Sequence, residues 1–123
     1  LYNIEKVAQN RGSVDAVAVS VKSSQLSSRL QYGTARLSST QTTRDETIGQ
    51  TVWLQGVSSG GATVGTLRSK NISYTSSNGT FFSGLRGANY SSTDGDSGGT
   101  VHNSSQLMGV HKGNAQGYCI GYT

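Results

Sequence analysis

The stretch Thr93-Asp94-Gly95-Asp96-Ser97-Gly98-Gly99 lies about three-quarters of the way along this chain of 123 residues. Glycines on both sides of a serine permit backbone conformations that residues with a Cβ avoid, so a tight turn can present the serine Oγ. The same turn can aim backbone amides at one point, and the N–H groups of Gly95 and Ser97 are candidates to stabilise an oxyanion. The stretch therefore predicts that Ser97 is a nucleophile, although Gly-rich strings also form ordinary turns between strands.

The composition on both sides of this stretch favours one β-rich domain. The chain has 17 glycines, no proline and 33% hydrophobic residues, and its length suits a single ordinary domain. From Thr47 onwards, short apolar segments alternate with Gly- and Ser-rich turns, a pattern typical of an antiparallel barrel or sandwich. The predicted strands are 51–57, 62–67, 71–75, 80–87, 99–102, 106–113 and 117–123.

The first part of the chain has a different pattern. Residues 14–21, VDAVAVSV, alternate as in a half-buried strand. Residues 22–46 are polar and have no clean period, as expected for a connecting segment with one short strand. We therefore divide the chain into residues 1–46, the remnant of another unit and a linker, and residues 47–123, a β-barrel that carries the serine loop.

Charge and hydropathy argue against two classes of function. The net charge of +4 comes from 10 basic and 6 acidic residues with no basic run, which argues against nucleic-acid binding. No segment approaches the roughly 20 consecutive apolar residues that span a bilayer.

One cysteine, Cys119, permits no disulfide within the chain, and the residues indicate neither a metal nor a cofactor. Four Asn-X-Ser/Thr tripeptides are a hint of secretion, so we expect an extracellular protein.

The TDGDSGG loop resembles the nucleophile loop of the chymotrypsin-fold, or trypsin-like, serine proteases. Residues 61–74, GATVGTLRSKNISY, are similar to the second-barrel hairpin of the alpha-lytic and streptogrisin group. Residues 107–113 and 121–123 look like the family's pocket strand and last barrel strand. The resemblance covers about residues 51–123 and implies a six-stranded antiparallel Greek-key barrel, the second of that fold, preceded by the last strand of a missing first barrel. The implied activity is cleavage of peptides or proteins through an acyl-enzyme on Ser97.

A nucleophilic serine needs a base, and the base needs an orienting group. Residues 14–19 resemble the family segment in which the triad aspartate precedes a strand, so the resemblance implies that Asp15 orients the base. In this family the catalytic histidine precedes that aspartate, and no histidine occurs before Asp15. We therefore expect an upstream protease segment to carry the base and this chain alone to be inactive. The alternative is a catalytically inactive homologue that binds peptides or proteins.

Strand geometry separates the chain's two histidines. At ~3.3 Å per residue, His102 would lie roughly 15 Å from Ser97 along an extended strand, so we expect it to be an exposed strand residue outside the site. A hairpin turning at Ser104-Ser105 places His111 opposite Gly98 and close to Ser97.

The string Gly-Val-His-x-Gly at 109–113 resembles the glutamyl endopeptidase branch, whose histidine binds a substrate Glu carboxylate. A hydroxyl five residues before the nucleophile supports that histidine in the branch, and here it belongs to Ser92. The resemblance implies that Ser92 and His111 line a pocket for Glu, because a buried carboxylate must be paired. Three further residues are assigned to the same substrate-binding pocket: Lys112, Gly113 and Asn114. The alternative for His111 is a half-buried histidine bonded to the backbone.

Three positions depart from the family pattern. Ser91 stands where alpha-lytic-type members carry a cysteine that pairs with the equivalent of Cys119. Lys112 replaces a frequent serine. Asp94 places a negative charge beside the oxyanion loop, which is unfavourable for an anionic substrate at short range. Each departure lowers the expectation of full activity.

Overall fold

The computed structural model describes residues 21–33, 36–75, 77–115 and 118–122, with the backbone alone for 114–115 and 118–122. Two single-turn 3₁₀ helices, Ser23–Gln25 and Thr43–Asp45, flank a two-residue strand, β1 (Ser39–Thr40). Six further strands follow: β2 (Thr51–Gly56), β3 (Gly61–Thr75), β4 (Phe81–Ala88), β5 (Thr100–His102), β6 (Gln106–Ala115) and β7 (Tyr118–Tyr122). These described ranges contain no α-helix, and no helix in them is long and apolar enough to cross a membrane.

Strands β2 to β7 close into an antiparallel barrel. β2 pairs with β3 and β5, β4 pairs with β3 and β7, and β6 pairs with β5 and β7. Every strand of the ring therefore has two hydrogen-bonded neighbours, which removes exposed sheet edges. The closure confirms the predicted six-stranded barrel. The strand predicted at 14–21 lies outside the described residues.

Strand β3 is longer than the sequence predicts. The segments 62–67 and 71–75 belong to one strand of 15 residues, which pairs first with β2 and then with β4. Its register against β4 shifts at three points between Leu67 and Tyr74. Such irregularities bend a strand and increase its twist, so one strand serves both neighbours. The polar residues 68–71 mark this bend and not a strand end.

The core lies inside the barrel. Alternation in β2 buries Val52 and Leu54 while Trp53 and Gln55 stay half-buried, as expected when successive side chains point to opposite faces. The larger buried cluster consists of Val52, Leu54, Leu67, Ala88, Tyr90, Val101 and Met108. A smaller one contains Ile72, Phe82 and Leu85, with Tyr74 packed against it. Tyr90 lies two residues after the end of β4, so the core extends into the segment that carries Ser97.

A buried ion pair attaches the second 3₁₀ turn to the barrel. Arg86 Nε lies 3.3 Å from Glu46 Oε1, and the two side chains are 8% and 0% exposed. The guanidinium also donates to Thr43 Oγ1 at 2.9 Å and to the Met108 carbonyl oxygen. Burial raises the pKa of Glu46 and the charge of Arg86 opposes that rise. Residues 43–46 are therefore held against the barrel.

Candidate active site

Residues 89–99 cross between β4 and β5, which are not neighbours in the barrel. The φ angles of Gly95 and Gly98 are +98° and +88°, in the left-handed region that favours glycine. The Asp96 N–H donates to the Thr93 carbonyl at 3.1 Å, and the Gly99 N–H donates to the Asp96 carbonyl at 2.9 Å. Two successive turns thus leave Ser97 exposed at the surface.

The N–H groups of residues 95–99 fall into two sets. Those of Asp96, Gly98 and Gly99 donate to backbone carbonyls. Those of Gly95 and Ser97 donate to no acceptor among the described residues. The two N–H groups that the sequence predicts as oxyanion donors are therefore left unused by the surrounding backbone.

Asp96 is the buried anchor of the loop. Its side chain is 0% exposed. It accepts hydrogen bonds from the Ser59 N–H at 2.9 Å, the Ser59 hydroxyl at 2.5 Å and the Thr93 N–H at 2.9 Å. The hydrogen bond from the Ser59 hydroxyl lowers the pKa of Asp96 most. Burial opposes this shift and the neighbouring N–H groups add to it, so the pKa is about 2. The carboxylate is therefore ionised at neutral pH and fully hydrogen-bonded in place.

The turn between β2 and β3 forms the floor under the loop. A Cβ on Gly95 would lie 2.1 Å from Ser58 Oγ, and a Cβ on Gly56 would lie 2.3 Å from Asp96 Oδ1. At Gly56 an added Cβ would collide with the Asp96 side chain. At Gly95 it would displace the Ser58 hydroxyl and strain the left-handed backbone. The sequence gives no sign of this contact, because Ser58 and Ser59 lie in a Ser- and Gly-rich turn and Asp96 is 37 positions from Ser59.

Ser97 and its neighbours are attached to β6. Ser97 Oγ donates to the Lys112 carbonyl oxygen at 3.3 Å. The Gly98 N–H donates to the His111 carbonyl at 2.9 Å, and the His111 N–H donates to the Gly99 carbonyl at 2.9 Å. These bonds place His111 beside both Gly98 and Gly99. The predicted register set it opposite Gly98 alone; a register shift between Val101 and His102 moves the pairing by one residue.

His111 is buried and bonded to a tyrosine. It is 3% exposed, and its Nδ1 lies 2.9 Å from the Tyr90 hydroxyl. The two rings meet edge to face, with centroids 5.6 Å apart. Burial lowers the pKa of His111 to about 4, and the charge of Asp96 partly opposes that shift. The imidazole is therefore neutral at neutral pH. Nothing in the sequence marks Tyr90 as the partner of His111, because the two residues lie 21 positions apart.

A pocket of about 150 Å³ opens beside Ser97. Its lining consists of Ser92, Thr93, Asp94, Gly95, Ser97, His111 and Gly113. Five of these residues belong to the predicted site, and Asp94 brings a carboxylate to the same pocket. The Lys112 side chain is directed elsewhere, because its Nζ lies 4.8 Å from the Phe82 ring centroid. Asp15 lies outside the described residues, and of Asn114 only the backbone is described.

A second pocket, of about 260 Å³, also includes Ser97. One wall is the Gln31-Tyr32 segment, which Gln55 holds in place. Gln55 Nε2 donates to the Tyr32 carbonyl at 2.7 Å, and the Tyr32 N–H donates to Gln55 Oε1 at 3.3 Å. Ser97 is thus shared by two cavities.

His102 is buried, so the prediction that it is exposed is wrong. It is 4% exposed, and its ring stacks on that of Trp53 with centroids 5.9 Å apart. Its Nδ1 accepts the Ser104 N–H at 2.9 Å. The reason is that β5 lies between β2 and β6, and Trp53 on β2 stands directly opposite. Within the described ranges, neither histidine ring is hydrogen-bonded to Ser97.

Comparison with solved structures relates this barrel to a known fold. The chain aligns with the chymotrypsin of Cellulomonas bogoriensis with a TM-score of 0.64 and 26% identity, over 80% of this chain and 53% of that one. For Thermobifida fusca protease A the TM-score is 0.62 and the identity 28%, over 77% and 50% of the two chains. For the Nocardiopsis protease NAPase the values are 0.59 and 29%, over 80% and 50%. No protein-family model and no curated protein matches.

The chain spans about half the length of these solved structures. Its fold is that of the C-terminal part of bacterial chymotrypsin-like serine proteases.

Proposed function

We propose, from this likeness to bacterial chymotrypsin-like serine proteases, that the chain is the part of a secreted serine endopeptidase that carries the nucleophile and the specificity pocket. The observation that carries the proposal is the setting of Ser97. It is exposed, it follows a buried ionised aspartate, and it borders two cavities. Two cavities beside one hydroxyl suit a peptide or protein that extends on both sides of the bond to be cleaved.

Acyl transfer would use the groups of this loop in order. Ser97 Oγ attacks the substrate carbonyl carbon while its proton passes to a base. The N–H groups of Gly95 and Ser97 stabilise the negative oxygen that forms. The amine then leaves with that proton, and water releases the acid from Ser97. Asp96 keeps the loop in this shape, because its ionised carboxylate holds the Thr93 N–H and both donors of Ser59.

The base belongs to another segment in this proposal. The chain contains two histidines, and their Nδ1 atoms are bonded to Tyr90 and Ser104. We therefore assign the base to a histidine of the first barrel, upstream of this chain, and its orientation to Asp15. Residues 1–46 would belong to that barrel and the linker. The bond from Ser97 Oγ to the Lys112 carbonyl is then a resting arrangement that the base replaces.

The pocket favours Glu before the cleaved bond. Ser92 and His111 line the same 150 Å³ space as Ser97, so a hydroxyl and an imidazole are available to one carboxylate. Gly113 leaves its wall free of a side chain. Asp94 lines the pocket too, and its charge reduces the preference that Ser92 and His111 create.

The test is to join this chain to an upstream segment that carries a histidine in a first barrel. Cleavage of a chromogenic Glu peptide should fall by roughly 10⁶-fold in Ser97→Ala. The matched control is Ser24→Ala, which changes an exposed serine in the first 3₁₀ turn and should leave the rate unchanged. Cleavage that survives Ser97→Ala would refute the assignment of the nucleophile.

A second candidate is a catalytically inactive homologue that binds peptides. It is favoured by the bond of Ser97 Oγ to the Lys112 carbonyl at 3.3 Å, because this bond occupies the hydroxyl proton. A fluorophosphonate probe separates the two, since it labels only an activated serine. Labelling of the joined protein at Ser97 supports the enzyme, and peptide binding without labelling supports the binding module.

A further inference from the structure

We infer that Tyr90 is a positioning residue for the pocket histidine: its hydroxyl donates to His111 Nδ1 and thereby leaves an Nε2–H donor for the substrate side chain. The inference rests on the proposed function, in that it assumes the pocket beside Ser97 receives a substrate side chain. It deepens that function by stating which atom of His111 meets the substrate and what holds it there.

Tyr90 is anchored in the core of the barrel. It is 0% exposed and belongs to the larger core cluster. A Cβ on Gly65 would lie 2.4 Å from the Tyr90 nitrogen, so β3 packs directly on the Tyr90 backbone. The preceding residue is bonded to the same strand: Asn89 Oδ1 accepts the Thr66 N–H at 2.7 Å, and the Asn89 N–H donates to the Thr66 carbonyl at 3.2 Å. The phenol therefore reaches His111 from a rigid base.

The contact selects one nitrogen of the ring. The Tyr90 hydroxyl lies 2.9 Å from Nδ1, and a buried tyrosine hydroxyl must find a hydrogen-bond partner. Burial keeps the ring neutral at neutral pH, with Asp96 as the charge that opposes this effect. A neutral imidazole carries one N–H, and the bond at one nitrogen decides which nitrogen holds the proton. Donation from the phenol to Nδ1 places the proton on Nε2.

The other nitrogen is the one that a substrate can use. His111 lines the 150 Å³ pocket together with Ser92 and Ser97, and Nδ1 is occupied by Tyr90. An Nε2–H and the Ser92 hydroxyl are both donors, and neither carries a formal charge. They recognise a side chain that ends in an oxygen acceptor. The substrate class is therefore Glu, followed by Gln, because hydrogen bonds to a carboxylate are the stronger ones. The Asp94 carboxylate in the same pocket narrows this difference, and an apolar side chain leaves both donors unpaired.

The first test measures which nitrogen of His111 carries the proton. Nitrogen-15 NMR of the full chain at pH 7 should show His111 protonated at Nε2 and unprotonated at Nδ1. Tyr90→Phe keeps the ring in the core and removes the hydroxyl, so His111 should become a mixture of both tautomers. The matched control is Tyr74→Phe, in the smaller core cluster, which should leave the His111 signals unchanged. A proton on Nδ1 in the unaltered chain, or no change in Tyr90→Phe, overturns the inference.

The second test reads the pocket. We expect N-acetyl-glutamate α-methylamide to bind the full chain more tightly than its glutamine analogue does. Tyr90→Phe should weaken the glutamate analogue by about threefold to tenfold, and Tyr74→Phe should not weaken it. A changed tautomer with unchanged affinity refutes the positioning role.

Together, the two tests distinguish a failure of the role of Tyr90 from a failure of the proposed Glu pocket. If neither analogue binds while Nε2 carries the proton, the proposed Glu pocket fails and the role of Tyr90 in setting the tautomer stands. If the glutamate analogue binds and Tyr90→Phe changes neither the tautomer nor the affinity, the pocket stands and the inference fails.

Discussion

The backbone N–H of Gly98 donates a hydrogen bond of 2.9 Å to the carbonyl oxygen of His111. Gly98 follows Ser97, and His111 lines the pocket, so this bond joins the loop of Ser97 to the strand that borders the pocket. The His111 N–H completes the pair by donating to the Gly99 carbonyl at 2.9 Å. The loop and the pocket are therefore one unit, held together by the pairing of β5 with β6.

The close packing of Gly56 against Asp96 predicts that alanine variants of two paired glycines differ in stability. Gly56→Ala would place a Cβ 2.3 Å from Asp96 Oδ1, whereas Gly61→Ala meets nothing within 4 Å. The two glycines are partners in the β2–β3 register, which makes them a matched pair. Overpacking of this kind costs about 1–3 kcal/mol, so urea unfolding should show Gly56→Ala to be clearly less stable. Equal stability of the two variants would mean that Asp96 moves away without cost.

The buried pair of Glu46 and Arg86 predicts a large effect on folding. Arg86→Met removes the cation paired with the buried Glu46 carboxylate and leaves only the charge of Lys70 near it, which should lower the free energy of unfolding by about 3–5 kcal/mol. Arg68→Met, at an exposed position of β3, is the control and should change it little. The double variant Glu46→Gln, Arg86→Met should recover part of the loss. A double variant less stable than Arg86→Met would contradict this account.

The low pKa of His111 predicts that the folded protein loses stability in mild acid. Its folded-state pKa of about 4 lies below the ordinary value of 6.5, so between these values the unfolded chain binds more protons than the folded one. Stability is therefore complete above about pH 6.5 and falls as the pH drops towards 4. Burial lowers the pKa of His102 as well, so both histidines contribute. Thermal melts across this range should show a shallower slope in His111→Gln, and an unchanged slope would exclude His111 as a source.

The low pKa of Asp96 predicts a second loss of stability at lower pH. Its folded-state pKa of about 2 lies below the ordinary value of 3.8, so its contribution is present above about pH 4 and disappears as the pH falls towards 2. Asp96→Asn should remove this dependence and, because it leaves buried donors of Ser59 and Thr93 poorly paired, destabilise the fold at pH 7 by about 1–3 kcal/mol. Asp45→Asn, with 59% of its side chain exposed, serves as the control. If Asp96→Asn lost stability between pH 4 and 2 as the unaltered chain does, Asp96 would not be the source of this pH dependence.

Much of the fold follows from local pattern. The strands were predictable because apolar alternation and Gly-rich turns belong to short segments. The position of His111 near Ser97 followed from one hairpin, to within one residue. Pattern failed where distant strands decide the outcome. His102 is buried because Trp53 stands opposite it on another strand. Strand β3 continues through four polar residues because two different partners pair with its two ends.

The sequence by itself determined the turn that exposes Ser97, since the left-handed backbone at Gly95 and Gly98 is a conformation that glycine adopts without steric cost at any position. Only the tertiary structure decided what that turn rests on and what shares its pocket. Ser59 meets Asp96 across 37 positions of the chain, and Tyr90 meets His111 across 21. Their ionisation and hydrogen bonding depend on burial, and burial arises only when the barrel closes.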